Sequence, residues 1–306
     1  MIDNWEFNHL GMMVTDRDEI LSYYQSIGLG VSVGPQPLLP YIEGEGEITF
    51  FKELDGEPVS HRFVTGGAHS FKDGQSQIGN CQLEVYPMRP GPGMFISRYL
   101  ETKGDGINHI AFNTTDIERD TQFFLDRGCD LVFNVTTNGK TVENYIDTRL
   151  HGDLMISLTP PADTWEKSWR KNNESHPLVN KWKFLGLGIC VNDLESASGY
   201  YSKLGYKRTE EKKVRKECKI TSEEFYVSNV LFELIQAEKD SIYKNSLAQR
   251  GDGVAEMIFQ VSDMKTELDL LKNKGAKILK VSDDKKTAYI DSCMKGNLLT
   301  RLMEID

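Results

Sequence analysis

Residues Phe7–Asp16 of this chain, FNHLGMMVTD, recur as FLGLGICVND at Phe184–Asp193. Phe, Leu, Gly, Val and Asp stand at equivalent places in the two copies, and the same offset carries one pair of adjacent tyrosines onto another. The tyrosine pairs are Tyr23-Tyr24 and Tyr200-Tyr201. Agreement at a constant offset over this length indicates an internal duplication.

A second repeated segment lies further along each copy. Asp105–Phe112, DGINHIAF, matches Asp252–Phe259, DGVAEMIF. All four segments contain a run of apolar or β-branched residues that is followed by an aspartate, a residue that favours the start of a helix. These aspartates are Asp16, Asp116, Asp193 and Asp263. The chain therefore contains two related halves of two modules each.

Within a module, a stretch of helical period follows the aspartate, and strand-like runs follow the helix. In the first module the helical stretch ends at Gly28, a residue type that is common at helix C-termini. The strand-like runs after it are residues 48–51, 61–65 and 81–86. We predict an α+β fold of four βαβββ modules, divided into residues 1–160, a linker at 161–182, and residues 183–306.

The composition excludes several classes of function. The chain of 306 residues has a formal net charge of −10 and a pI near 5.2, which disfavours nucleic acid and anionic membranes as partners. The first residues lack the apolar segment of a secretory signal, and no run approaches the roughly 20 apolar residues of a membrane helix. Five cysteines without a Cys-x-x-Cys pair are typical of buried thiols in a reducing compartment. We therefore expect a cytoplasmic protein.

Three segments resemble a known superfamily: Asn8–Gly11, Gln82–Val85 and Gly106–Phe112. Their pattern is similar to that of the vicinal oxygen chelate superfamily, which includes glyoxalase I, bleomycin resistance proteins and extradiol dioxygenases. Residues 95–112, FISRYLETKGDGINHIAF, most resemble the methylmalonyl-CoA epimerase branch. The resemblance implies that two modules pair about a pseudo-twofold axis into a cup-shaped half-barrel, so that the chain forms two cups.

The resemblance also implies four metal-ligand positions in each cup, on the first and last strands of its two modules. In the first half these positions are His9, Glu84, His109 and Ser157. In the second half they are Gly186, Glu233, Glu256 and Arg301. Two imidazoles and one carboxylate suit a divalent ion of cobalt, nickel, manganese, zinc or iron. We therefore predict one metal ion in the first half, bound by His9, Glu84 and His109.

The remaining positions depart from a metal-binding pattern. Epimerases that resemble this chain have a carboxylate where Ser157 stands, and a hydroxyl is a weak ligand, so we expect water to fill that place. In the second half, Gly186 has no side chain and Arg301 is cationic. We predict that this half is metal-free and that Arg301 pairs with its two glutamates.

Two residues are candidates for the transfer of a proton. His61 is predicted on the third strand of the first module, roughly where epimerase-like relatives keep a catalytic carboxylate, and a histidine can move a proton near neutral pH. Glu143 is predicted on the corresponding strand of the second module. Tyr145 and Tyr289 match each other in the two halves, which favours a packing role for both.

The function that these features favour is a metal-dependent isomerase or epimerase, which removes a proton next to a metal-chelated carbonyl of a small oxygenated metabolite. An extradiol-type dioxygenase and a glyoxalase-type lyase are alternatives, since two histidines and one carboxylate also suit ferrous iron. A non-enzymatic protein that binds a small molecule such as an antibiotic in a metal-free cup is a further alternative. The sequence leaves the substrate, the metal and the oligomeric state open.

Overall fold

In the computed structural model, the described part of the protein consists of two β-sheets with their helices. The structure describes residues 2–37, 45–51, 59–64, 72–87, 89–90, 95–161, 179–292 and 298–305. The predicted α+β fold is confirmed, and each module contributes the expected strand, helix and three further strands. Across these described ranges, no helix has the length and apolar character needed to cross a membrane.

The first half forms a sheet with ten strands in its described part. These strands are β1 Glu6–Val14, β2 Val31–Pro37, β3 Glu45–Phe50, β4 Val59–Val64, β5 Lys72–Ile78, β6 Cys81–Pro87, β7 Gly106–Asn113, β8 Leu131–Thr137, β9 Lys140–Ile146 and β10 Met155–Thr159. Their order is β2-β5-β6-β1-β7-β10-β9-β8-β3-β4. Its helices are α1 Arg17–Ser26, α2 Phe95–Lys103 and α3 Ile117–Leu125.

The second half forms a separate sheet with eight strands in its described part. These strands are β11 Lys183–Cys190, β12 Lys207–Arg215, β13 Ile220–Val227, β14 Val230–Ala237, β15 Gly253–Val261, β16 Lys277–Val281, β17 Thr287–Asp291 and β18 Leu299–Glu304. Their order is β12-β13-β14-β11-β15-β18-β17-β16. Its helices are α4 Leu194–Lys203, α5 Lys244–Arg250 and α6 Met264–Asn273.

The first helix of every module begins at the predicted aspartate. Each aspartate accepts a hydrogen bond from a backbone N–H in the first turn, which satisfies a donor that the helix itself leaves unpaired. The caps are Asp16 to Glu19 N, Asp116 to Arg119 N, Asp193 to Ser196 N and Asp263 to Thr266 N, at 3.0–3.1 Å. The four strand-to-helix junctions are therefore local features that the sequence determines.

The centre of each sheet is an antiparallel pair of first strands. β1 pairs with β7, and β11 pairs with β15, while the last strand of each module lies parallel to that module's first strand on the outer side. The irregularities of pairing recur as well: β1 shifts register between Phe7 and His9, and β11 between Phe184 and Gly186. Such shifts are typical of β-bulges. The two halves therefore share their sheet geometry in detail.

The positions of strands β3 and β4 differ from one prediction. The runs at 48–51 and 61–65 do form strands, but they make an additional hairpin, whose strand β3 pairs with β8 at the far edge of the sheet. The middle strands of the first module are instead β2 and β5. The prediction that His61 lies on the third strand of this module is therefore wrong. His61 lies on β4 opposite Ile48, and its side chain lies outside the described part of the structure.

The two halves pack against each other through one apolar cluster that includes residues of both. The ring of Phe7 stacks on that of Phe184, with 4.6 Å between their centroids. Lys103 of α2 donates from Nζ to the backbone oxygens of Arg250 and Asp252, each at 2.9 Å. Both apolar burial and hydrogen bonds thus hold the halves together.

Two further expectations concern the cysteines and the linker. Cys81, Cys129, Cys190 and Cys218 are buried and form no disulfide, as predicted for these thiols. Cys293 and residues 162–178 of the predicted linker lie outside the described residues.

Candidate metal centre

The four predicted ligand positions of the first half lie on four adjacent strands, β6, β1, β7 and β10. Glu84 on β6 and His109 on β7 both lie opposite Gly11 of β1. His9 precedes Gly11 by two residues, and Ser157 lies on β10, which runs parallel to β7. Because side chains alternate along a strand, all four point to one face of the sheet. We call this face the first cup.

Two imidazoles and one carboxylate meet in the first cup. His9 Nε2 lies 3.3 Å from Glu84 Oε2, and the ring centroids of His9 and His109 are 5.5 Å apart with the rings nearly perpendicular. Two donors that share one ion at about 2.0–2.2 Å stand roughly 3 Å apart, so His9 and Glu84 have the spacing of a shared ligand pair. By their chemical type, these three side chains suit a divalent transition metal. Within the described ranges, no three His, Cys, Asp or Glu side chains form a ready-made metal centre.

The imidazole of His109 is held in a neutral form. Burial lowers its pKa well below the usual value for histidine, and the nearby His9 lowers it further. Its Nδ1 lies 2.8 Å from Asn108 Oδ1, and its Nε2 lies 3.0 Å from the hydroxyl oxygen of Tyr145. A neutral imidazole carries the lone pair that a metal ligand needs.

Tyr86 and Tyr145 also belong to the site. The sequence pattern does not single out Tyr86, and it favours a packing role for Tyr145. The Tyr86 hydroxyl donates to Glu84 Oε2. Tyr145 packs as expected, but its hydroxyl also bonds the ring of His109. The signal that could have found Tyr86 is its spacing: a residue two positions after Glu84 on one strand faces the same side of the sheet.

Ser157 and Glu143 form a pair at the fourth ligand position. Ser157 Oγ donates a hydrogen bond of 2.8 Å to Glu143 Oε1, and both side chains are buried. At residue 157 the sequence has a serine where the resemblance implies a carboxylate. The structure brings a carboxylate to that place from the neighbouring strand β9.

An aromatic row borders the centre on one side. Tyr145 on β9, Phe133 on β8 and Phe50 on β3 are successive cross-strand neighbours. Phe133 stacks on Tyr145 with 4.0 Å between centroids, and Phe50 lies 5.6 Å from Phe133. The additional hairpin thus joins the wall of the first cup through Phe50.

In the second half, strand register places Gly186, Glu233, Glu256 and Arg301 at the four equivalent positions. A Cβ atom on Gly186 would lie 1.9 Å from the carbonyl oxygen of Leu231. A ligand side chain at residue 186 would therefore require the backbone to move.

Arg301 brings a buried positive charge to these four positions. Its buried guanidinium contacts Glu233 and lies 3.1 Å from Glu256 Oε1, which confirms the predicted pairing. Arg215 contacts the other carboxylate oxygen of Glu233. Burial alone would raise the pKa of Glu233, but the charges of Arg301 and Arg215 outweigh it and lower that pKa. The equivalent of the metal centre is thus occupied by an internal ion cluster.

Comparison with known proteins agrees with this architecture. The model of the Glyoxalase/Bleomycin resistance protein/Dioxygenase superfamily matches residues 183–292. The second half of the chain therefore contains a domain of this superfamily. No curated protein is similar enough in sequence to be recognised as a relative of the chain.

Solved structures with a similar fold also match the chain. A triple mutant of 4-hydroxymandelate synthase from Streptomyces coelicolor aligns with a TM-score of 0.63 and 14% identity, over 98% of this chain and 92% of that one. At this identity the likeness shows the fold alone. Methylmalonyl-CoA epimerase from Mycobacterium tuberculosis is 21% identical over 40% of this chain and 88% of that one, with a TM-score of 0.36. That score is too low to support an inference.

The contact between Gly11 and His109 gives a first test. A Cβ on Gly11 would lie 1.8 Å from Cε1 of His109, so Gly11→Ala forces the ring or the strand to shift. We expect the free energy of unfolding to fall by about 1–3 kcal/mol in chemical denaturation. The control is Gly199→Ala on α4, where a Cβ meets no atom within 4 Å and should stabilise the helix by roughly 0.5–1 kcal/mol. Equal stability of the two variants would contradict the assigned contact.

The internal ion cluster gives a second test. Arg301→Met leaves two buried carboxylates without their shared cation, and we expect a loss of about 3–5 kcal/mol in the free energy of unfolding. The control is Arg208→Met, which removes a half-exposed partner of Glu223 and should cost no more than about 1 kcal/mol. A similar small loss in both variants would show that Arg301 does not stabilise the second half.

Proposed function

We propose that the protein is a metal-dependent isomerase or epimerase that removes a proton next to a carbonyl group of a small oxygenated metabolite. The observation that carries the proposal is that His9, Glu84 and His109 lie near one another in the first cup. The buried carboxylate of Glu143 lies on β9, two strands from the strand of His109. Binding and proton transfer would then take place on one face of one sheet.

His9, Glu84 and His109 would hold the ion. Imidazole nitrogen and carboxylate oxygen suit the divalent ions of cobalt, nickel, manganese, zinc and iron. When bound, such an ion polarises the carbonyl group of a substrate and makes the adjacent proton more acidic. Three protein ligands leave coordination positions for substrate oxygens.

Glu143 is the best-placed group to accept the proton. The hydrogen bond from Ser157 holds its carboxylate at the fourth ligand position, on the strand next to the one that carries His109. A carboxylate fixed within reach of a substrate acts as a general base. His61 remains the second candidate from the sequence, on the additional hairpin.

One alternative uses the same ligands. Two imidazoles and one carboxylate are also the set that binds ferrous iron in oxygenases, so a dioxygenase of a small molecule is the second candidate function. The chemical identity of the bound ion separates the two proposals, because an isomerase has no need of a redox-active metal.

The metal content of the purified protein tests the centre. After reconstitution with a mixture of divalent ions, elemental analysis of the wild type should give about one equivalent, and His109→Ala should lose it. The control is His151→Ala, which alters a histidine packed beside Tyr200 and away from the first cup. No bound metal in the wild type would overturn the metal-dependent proposals and favour a ligand-binding protein. Iron that is lost on exposure to air would favour the dioxygenase.

Exchange of substrate hydrogen with solvent tests the role of Glu143. The metal-loaded protein is incubated in D₂O with a panel of small hydroxy- and alkoxy-carbonyl compounds, and deuterium at the carbon next to the carbonyl is measured by mass spectrometry. Glu143→Gln keeps an acceptor for Ser157 but removes the base, so exchange should fall by about 10²–10⁴-fold with metal content unchanged. Full exchange in this variant would exclude Glu143 as the base and direct attention to His61.

A further inference from the structure

An asparagine stands directly before each candidate histidine, and its side chain contacts the ring. Asn8 Oδ1 lies 3.3 Å from His9 Nδ1, and Asn108 Oδ1 lies 2.8 Å from His109 Nδ1. Both asparagines are buried. A buried amide lowers stability unless it is hydrogen-bonded, so these positions call for a specific partner.

The Asn8 amide turns its nitrogen towards Asn113 and its oxygen towards His9. Asn8 Nδ2 donates to Asn113 Oδ1 at 2.9 Å, and Thr159 Oγ1 donates to the same oxygen at 2.9 Å. The remaining Asn8 atom, Oδ1, can only accept, so His9 Nδ1 must carry the proton. In the neutral ring, the lone pair of His9 is then on Nε2, the nitrogen that lies 3.3 Å from Glu84 Oε2.

The contacts of His109 agree with the same tautomer. Asn108 Oδ1 faces Nδ1 and can only accept, so Nδ1 of the neutral ring carries the proton and Nε2 is left to accept from the Tyr145 hydroxyl. In both rings, therefore, Nδ1 faces an asparagine oxygen and Nε2 faces the other side chains of the first cup. Hydrogen bonds of this kind orient metal-binding histidines and fix their tautomer in proteins generally.

The second half provides an internal comparison. Strand register places Leu185 and Ala255 where Asn8 and Asn108 stand, next to Gly186 and Glu256, the residues that replace the histidines. Apolar residues thus fill these places where no imidazole has to be oriented. By contrast, Tyr145 and its counterpart Tyr289 are present in both halves. At these positions, asparagine is therefore present only in the half that carries the histidines.

We propose that Asn8 and Asn108 are positioning residues, which hold Nδ1 of each histidine as a donor and so direct the Nε2 lone pair towards a metal ion in the first cup. This inference rests on the proposed metal centre and adds to it two residues that set its affinity for a metal ion. It predicts that the tautomers of His9 and His109 are already fixed in the metal-free protein.

Replacement of Asn108 by the residue of the second half tests the proposal. Asn108→Ala should weaken the affinity for Co²⁺, measured by titration, by about 10–100-fold. Asn108→Asp keeps an oxygen acceptor for Nδ1–H and should retain most of the affinity. The control is Asn134→Ala, which removes an amide bonded to Asn144 and should leave Co²⁺ binding unchanged. Asn8→Leu, which copies Leu185 of the second half, should behave like Asn108→Ala.

A second readout does not require metal. In ¹⁵N spectra of the metal-free wild type, recorded at a pH where both rings are neutral, both ring signals should show a protonated Nδ1 and an unprotonated Nε2. Asn108→Ala should shift the His109 signal towards a mixture of tautomers. Equal Co²⁺ affinity of Asn108→Ala and Asn134→Ala would overturn the positioning role. If the wild type binds no Co²⁺, the proposed function fails, whereas an unchanged tautomer in Asn108→Ala contradicts the present inference alone.

Discussion

The close approach of strand β1 to the imidazole of His109 is the constraint on which the rest of the site depends. Gly11 lies beneath this ring, and a Cβ there would lie 1.8 Å from Cε1. The second half repeats the arrangement, since a Cβ on Gly188 would lie 2.4 Å from Glu256. A glycine on the first strand is therefore needed for a ligand from the next module to reach the cup, because the paired strands leave no room for a second side chain.

On this shared scaffold the two halves balance their buried charges in different ways. The first half places the carboxylate of Glu84 beside the imidazole of His9 and keeps the imidazole of His109 neutral, a set of side chains suited to an external cation. The second half supplies the cation itself, as the guanidinium of Arg301 between Glu233 and Glu256. A buried carboxylate needs a positive partner in either case. The same backbone therefore supports one candidate metal centre and one internal ion cluster.

The surroundings of the two centres differ as well. In the first half, Phe133 stacks on Tyr145 and continues to the additional hairpin through Phe50. In the second half, Lys280 stands opposite Tyr289 at the place of Phe133. An apolar wall strengthens electrostatic interactions beside it, since few water molecules and charges are there to screen them. The buried, neutral state of His109 is in keeping with such a wall.

The sequence by itself determines the modules, because the duplicated segments, the helix-capping aspartates and the strand periodicity are local patterns that can be read in chain order. Together with the family resemblance, it also singles out His9, Glu84 and His109 as candidate metal ligands. Only the tertiary structure decides that strands β3 and β4 join the far edge of the sheet, that Ser157 holds Glu143, and that Tyr145 bonds His109. These contacts depend on register between strands distant in the chain, and a strand-like composition does not specify which partner a strand will pair with.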